Sequence, residues 1–218
     1  MPPVAWFPCG EMGRLSACLG RLLPHLGEND VAITGGVAIQ IGMAELGHVG
    51  SREAIADLDM VAGSLDAVPS NVAEDFLVSH YHAVQPGVPK FMVQLVDPVT
   101  RIRVDIFPDL AGSLTRSSEV RIGGHVARVL ALEDILEHKL LTISKASSTS
   151  PIDPKHADDA YALGQLLRRN VPAVDDGSLV KDVYGSDADL VCRRCELSPH
   201  PGFPLAPKNE IFRLLGYT

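Results

Sequence analysis

The chain has 218 residues, of which 46% are hydrophobic and 21% are charged. This balance is that of an ordinary globular protein and excludes a disordered, collagen-like or coiled-coil chain. The formal net charge is −8, from 19 Lys and Arg against 27 Asp and Glu, which disfavours binding to an extended nucleic-acid duplex because an acidic surface repels the phosphate backbone. A nucleotide, a short single strand or an RNA end needs only a local basic pocket and stays compatible with that charge.

The N-terminus carries no basic cluster and no long apolar run, so we expect no secretory signal and a cytoplasmic protein. The longest uncharged stretch of the apolar first half, residues 31–44, is too short and too polar for a membrane span, which needs about 18 to 20 apolar residues. In a reducing cytoplasm the four cysteines are expected to be thiols.

Hydrophobic periodicity predicts a mixture of helices and strands up to residue 130. The predicted elements are a helix from Leu15 to about Gly27 with Cys18 on its buried face, a strand over 31–34, a helix over 37–46, a strand over 55–61, a helix over 72–82, and two hairpins, 91–96 with 102–107 and 120–122 with 126–130. The strand, the Gly35-Gly36 turn and the helix that follows form one continuous unit.

After residue 130 the apolar period changes from two to 3.6. This pattern predicts a helix over 132–143, and Asp153 with Pro154 forms an N-cap and N1 pair for a helix that ends near Arg169. A further helix is predicted over 178–195, and the Pro-rich last 20 residues are expected to be irregular. We therefore predict an α+β protein with a catalytic α/β domain over 1–130 and a helical domain over 131–218.

The main chemical signal is three acidic residues on β-type runs: Asp57 and Asp59 in Asp-Leu-Asp, and Asp105 in a second run. Residues i and i+2 of a strand point to the same face roughly 6.5 to 7 Å apart, so both carboxylates can reach one divalent ion. A third carboxylate from a neighbouring strand completes a site for two metal ions, which lie roughly 4 Å apart and act on a phosphoryl group. The alternative is that these residues lie on a solvated strand face.

Glycine and lysine residues extend this signal. Gly35 and Gly36 lack a β-carbon, so backbone N–H groups can approach a phosphate there, although such a pair is often only a turn. Lys139 lies on the apolar stripe of its helix and either extends out to solvent or faces a cleft. Lys155 stands three residues before Asp158 and four before Asp159, so the alternative interpretation is a surface ion pair on a helix.

Together these motifs resemble the nucleotidyltransferase superfamily with the polymerase β-type fold. The order Gly-Gly, Asp-Leu-Asp, a lone Asp in a β-run and two helical lysines is most similar to the abortive-infection type nucleotidyltransferase toxins and their bacterial relatives, over residues 30–165. The resemblance implies a mixed β-sheet with flanking helices and a C-terminal helical domain. It differs from the family at His156, where many relatives have an Asp after the second lysine.

The resemblance also implies roles for these residues. Asp57, Asp59 and Asp105 would bind two Mg²⁺ ions, and Asp105 would help activate the acceptor hydroxyl. Triphosphate binding would fall to four residues: Gly35, Gly36, Lys139 and Lys155. The expected reaction is transfer of a nucleoside monophosphate from an NTP to an acceptor hydroxyl of a small molecule, a protein or an RNA end, with no membrane partner.

Two other functions are compatible with the sequence. The chain could be a non-catalytic nucleotide- or protein-binding module that retains the fold, as a partner in a stress or defence system. Alternatively, the function could lie in the tail, where Cys192 and Cys195 precede His200. A Cys-x-x-Cys pair can begin a zinc site, which usually needs four ligands; a redox pair and plain thiols are the other interpretations of these cysteines.

Overall fold

The computed structural model describes residues 6–27, 30–48, 53–82, 91–109, 111–144, 155–168, 210 and 213–214. The helices are α1 (Cys9–Leu22), α2 (Gly35–Glu45), α3 (Leu132–Ser144) and α4 (Lys155–Leu166). The strands are β1 (Val31–Ile33), β2 (Asp57–Ala62), β3 (Leu77–His82), β4 (Met92–Val96), β5 (Arg103–Pro108), β6 (Ser118–Ile122) and β7 (His125–Val129). Short 3₁₀ helices lie at Leu23–His25, Leu65–Ala67, Ser70–Glu74 and Ser113–Arg116.

Within the described residues the strands form one mixed sheet in the order β3-β4-β5-β2-β1-β7-β6. The pairs β2–β5 and β1–β7 are parallel, and the other neighbours are antiparallel. Helices flank this sheet, so the predicted α+β class with a mixed sheet and flanking helices is confirmed. No helix among the described residues combines the length and the apolar character of a membrane span.

The predicted hairpins 91–96 with 102–107 and 120–122 with 126–130 correspond to β4–β5 and β6–β7. The predicted helix over 132–143 corresponds to α3, and α4 begins at Lys155, directly after the predicted cap. The residues of that cap, 153–154, lie outside the described residues, as does the helix predicted over 178–195.

The helix predicted over 72–82 is wrong. The chain forms the 3₁₀ helix Ser70–Glu74 and then the strand β3, which pairs antiparallel with β4. Val72 and Phe76 are buried and produced the apolar spacing of a helix, whereas the β-rich residues that follow are stabilised by hydrogen bonding to a strand that is distant in sequence. The tail is not wholly irregular either, since Glu210, Arg213 and Leu214 are helical.

One hydrophobic core joins the sheet to all four helices. Cys18 lies in it on α1, as predicted, and burial raises the pKa of its thiol to about 12. Leu136 of α3 and Leu163 of α4 belong to the same cluster. Because α3 packs against α2 and α4, the helices after residue 130 share this core, while the domain boundary at residue 130 stays a prediction.

Polar side chains of α1 hold the starts of the two strands that carry the acidic residues. The Glu11 carboxylate accepts a hydrogen bond from the backbone N–H of Ile55 at 2.7 Å, two residues before Asp57. The Arg14 guanidinium donates to the carbonyl oxygen of Thr100 at 3.0 and 3.2 Å, three residues before β5 begins. These bonds connect β2 and β5 to one helix at the same end.

Candidate active site

The three predicted carboxylates lie together on one face of the sheet. Asp57 and Asp59 are alternate residues of β2, and Asp59 is paired in register with Asp105 of the parallel strand β5. Register partners and i, i+2 neighbours share a face, so the fold brings the Asp-Leu-Asp motif to the distant Asp105. The Asp105 side chain is 6% exposed and that of Asp57 is 25% exposed, so the group lies at the edge of the buried interior.

Arg103 lies between two of these carboxylates, and the sequence argument missed it. It is the register partner of Asp57 and stands two residues before Asp105 on the same strand. Its Nη2 lies 2.9 Å from Asp57 Oδ2, and its Nε lies 3.5 Å from Asp105 Oδ1. The guanidinium therefore supplies a positive charge to the carboxylate cluster. The spacing rule that joined Asp57 to Asp59 could have placed Arg103 on this face as well.

The surroundings of Asp59 shift the pKa of its carboxyl group strongly. Burial, followed by the negative charges of Asp57 and Asp105, raises its pKa to about 7, while the positive charges of Lys139 and Lys155 act in the opposite direction. Both lysines are thus close enough to act electrostatically on the carboxylate cluster, although they belong to α3 and α4.

Gly35, the first residue of the glycine pair, lies directly against Asp59. Gly35 and Gly36 are the first two residues of α2, and the backbone N–H of Thr34, the N-cap residue, donates to the carbonyl oxygen of Asp59 at 2.8 Å. Gly35 has a φ of +61°, and a β-carbon placed on it would lie 2.1 Å from Asp59 Oδ2. Glycine is required here for both its conformation and its size. The N-terminus of α2, which favours negative charge, therefore adjoins the carboxylates.

The Lys139 side chain of α3 is largely buried and contacts residues of α4. Its side chain is 11% exposed, and its Nζ lies 2.8 Å from Asp159 Oδ2 and 3.3 Å from His156 Nδ1. Asp159 therefore pairs with the lysine of α3. Lys155 is exposed at the first residue of α4. His156, the departure from the family pattern, contributes to orienting Lys139.

The donor set suits Mg²⁺, which prefers carboxylate oxygens and keeps open positions for phosphates. Asp57, Asp59 and Asp105 are the residues that would hold it. As they stand, no three acidic, histidine or cysteine side chains in the described part of the chain are grouped closely enough to hold a metal ion. The Arg103 guanidinium contacts both Asp57 and Asp105, so we expect it to shift when an ion binds these two carboxylates.

The cysteine pair of the tail, Cys192 and Cys195, and His200 lie outside the described residues. A zinc site there stays a prediction.

Several solved structures are similar to this chain. An antigenic nucleotidyltransferase-like protein from Paracoccidioides brasiliensis matches with a TM-score of 0.43 and 18% identity, over 94% of this chain and 98% of that chain. The antibiotic-resistance factor ANT(2'')-Ia matches with a TM-score of 0.47 and 17% identity, over 72% and 84%. JHP933 from Helicobacter pylori matches with a TM-score of 0.33 and 12% identity, over 94% and 88%. No protein-family model and no curated protein matches the sequence. We therefore base the function on the side chains of the site.

Proposed function

We propose that this protein is a metal-dependent nucleotidyltransferase that transfers a nucleoside monophosphate from an NTP to an acceptor hydroxyl. The observation that carries the proposal is the register of β2 and β5, which sets Asp59 beside Asp105 and places Asp57 on the same face. Carboxylates gathered on one face at the edge of the interior are costly without counter-charges. Bound Mg²⁺ ions supply such charges.

The surroundings of the carboxylates suit a triphosphate. Gly35, the first residue of α2, lies against Asp59, and a phosphate can approach the backbone N–H groups of this helix end because neither Gly35 nor Gly36 has a β-carbon. Lys139 of α3 and Lys155 of α4 add positive charge that acts on Asp59. We assign these four residues to binding of the triphosphate.

In the proposed reaction the acceptor oxygen attacks the α-phosphorus as its proton passes to the Asp105 carboxylate, the bond from that phosphorus to the bridging oxygen breaks, and pyrophosphate leaves. Bound Mg²⁺ would neutralise phosphate charge and make the acceptor hydroxyl more acidic. Asp105 is assigned to orienting that hydroxyl beside Asp59, and the lysines to stabilising the charge on the departing pyrophosphate. The net charge of −8 favours a small molecule or a protein as acceptor over a long duplex nucleic acid.

The contacts of Arg103 favour a second candidate, a non-catalytic nucleotide- or protein-binding module. In that case the guanidinium between Asp57 and Asp105 is the permanent counter-charge of the cluster. A nucleotide would then bind through Lys139, Lys155 and the glycine pair without a metal ion.

Calorimetric titration of each of the four NTPs, with and without Mg²⁺, separates the two candidates. The proposed enzyme binds at least one NTP in a Mg²⁺-dependent manner, and the Asp57→Asn/Asp59→Asn variant loses that binding while it still folds. The matched control is Asp66→Asn/Glu74→Gln, which removes two charges from exposed positions and should bind like the wild type.

Each outcome is informative. Binding that is equally strong without Mg²⁺ and in the Asn variant would support the binding module. Absence of binding of every NTP to the wild type would contradict the transferase and nucleotide binding by the module, and would leave only a protein-binding module.

A further inference from the structure

A buried glutamine continues the row of side chains that contains two of the carboxylates. Across the sheet, Asp59 of β2 pairs with Asp105 of β5, and Asp105 pairs in turn with Gln94 of β4. Gln94 is 0% exposed. Its Nε2 donates a hydrogen bond to Asp105 Oδ1 at 2.7 Å. Gln94 thus contacts a proposed metal ligand from behind, on the side away from Asp59.

Ser79 fixes the other end of the same amide. The hydroxyl of Ser79 donates to Gln94 Oε1 at 2.8 Å, and Ser79 is also 0% exposed. The register of β3 against β4 shifts between Val78 and His80, so Ser79 is an additional residue opposite β4. An irregularity of this kind redirects a side chain, and here it lets Ser79 reach Gln94.

The two hydrogen bonds select one orientation of the amide. An ionised carboxylate only accepts hydrogen bonds, whereas an amide has a donating and an accepting end. Rotating the Gln94 amide by half a turn would place Oε1 against Asp105 Oδ1, two acceptors facing each other. The arrangement in which Ser79 donates to Gln94 and Gln94 donates to Asp105 is therefore the one that an ionised Asp105 requires.

We propose that Gln94 is a positioning residue for Asp105: it fixes the plane of the carboxylate in the orientation that binds the metal ion, with Ser79 orienting Gln94. The inference rests on the proposed function. Removal of a hydrogen-bond partner behind a metal ligand commonly changes metal affinity by about 10- to 100-fold, because that partner orients the ligand.

The test is the affinity of the full-length protein for Mn²⁺, measured from the electron paramagnetic resonance signal of the free ion. Gln94→Met keeps the length of the side chain but cannot donate a hydrogen bond. We expect it to weaken Mn²⁺ binding by about 10- to 100-fold, and Ser79→Ala to weaken it less. The matched control is Gln40→Met, because Gln40 is also buried and its Nε2 donates to the Trp6 carbonyl oxygen at 2.8 Å.

A merely structural role would lower the thermal stability of the Gln94 and Gln40 variants alike and leave Mn²⁺ affinity unchanged in both. Unchanged affinity of Gln94→Met in a protein whose wild type binds Mn²⁺ would overturn the positioning role alone. Failure of the wild type to bind Mn²⁺ would overturn the proposed function and this inference with it. Should Gln94→Met not fold, Ser79→Ala decides, and wild-type affinity in that variant would overturn the proposal.

Discussion

Replacement of Gly35 by alanine tests the close contact between α2 and Asp59. The new β-carbon would lie 2.1 Å from Asp59 Oδ2 and 2.8 Å from Asp59 Cβ, and it would sit at a φ of +61°. A non-glycine residue in the left-handed conformation costs about 1 to 2 kcal/mol, and forcing an extra carbon into a packed site costs typically about 1 to 3 kcal/mol more. We expect Gly35→Ala to lower the free energy of unfolding by about 2 to 5 kcal/mol.

Gly112→Ala is the control that separates the two effects. Gly112 has a φ of +67°, but a β-carbon there would meet nothing within 4 Å. Both variants are compared with the wild type by urea unfolding followed by circular dichroism. Gly112→Ala should show only the conformational cost of about 1 to 2 kcal/mol. Equal destabilisation of the two variants would refute the claim that Gly35 is packed tightly against Asp59.

Three further predictions concern the charges of the site. The pKa of Asp59 is about 7 in the folded protein against 3.8 ordinarily, so the folded state binds this proton more tightly than the unfolded chain does. Without metal, the stability that the bound proton contributes should therefore be lost as the pH rises from about 4 to about 7. Asp59→Asn should flatten the curve of stability against pH in this range, and an unchanged curve would contradict this assignment. Arg103→Met removes the counter-charge of the carboxylates, so it should lower the melting temperature without Mg²⁺ and make the rise in melting temperature on adding Mg²⁺ larger than in the wild type. If scanning calorimetry shows the same rise in both proteins, the Arg103 guanidinium does not compete with the ion. Lys139→Met should weaken NTP binding about 10- to 100-fold, as expected for loss of a hydrogen bond to a charged group. Asp159→Asn keeps the lysine and should bind NTP nearly as well as the wild type does. Equal losses of affinity in the two variants, measured by calorimetry, would assign Lys139 to packing instead.

Local sequence patterns were sufficient to find the carboxylates and to expect the third on a neighbouring strand, but not to predict the strand register that brings them together. The alternation around Asp57 and Asp59 predicts a strand, and β2 forms there. The chain alone did not reveal that β2 pairs in parallel with β5, because that pairing joins segments about 45 residues apart and depends on the order of the whole sheet. The register that sets Asp59 beside Asp105 is a property of the tertiary structure.

The missed residues had weaker signals. Arg103 shares a face with Asp105 by the i, i+2 rule, and Gln94 is a single amide inside the apolar run 91–96. A polar side chain in such a run needs a buried partner, which could have marked Gln94. Its partner Ser79 could not be predicted, since it reaches Gln94 only through an irregular register in a segment whose apolar spacing favoured a helix.

The most direct test of the account is a crystal structure of the protein with Mn²⁺ and a non-hydrolysable analogue of the NTP that it binds, with the manganese located by anomalous scattering. We predict manganese bonded to the Asp57 and Asp59 carboxylates, with the Arg103 guanidinium displaced from between Asp57 and Asp105 and the triphosphate at the N-terminus of α2. Manganese bound elsewhere, or a nucleotide bound while Arg103 keeps both of its carboxylate contacts, would contradict the proposed metal-dependent transferase site.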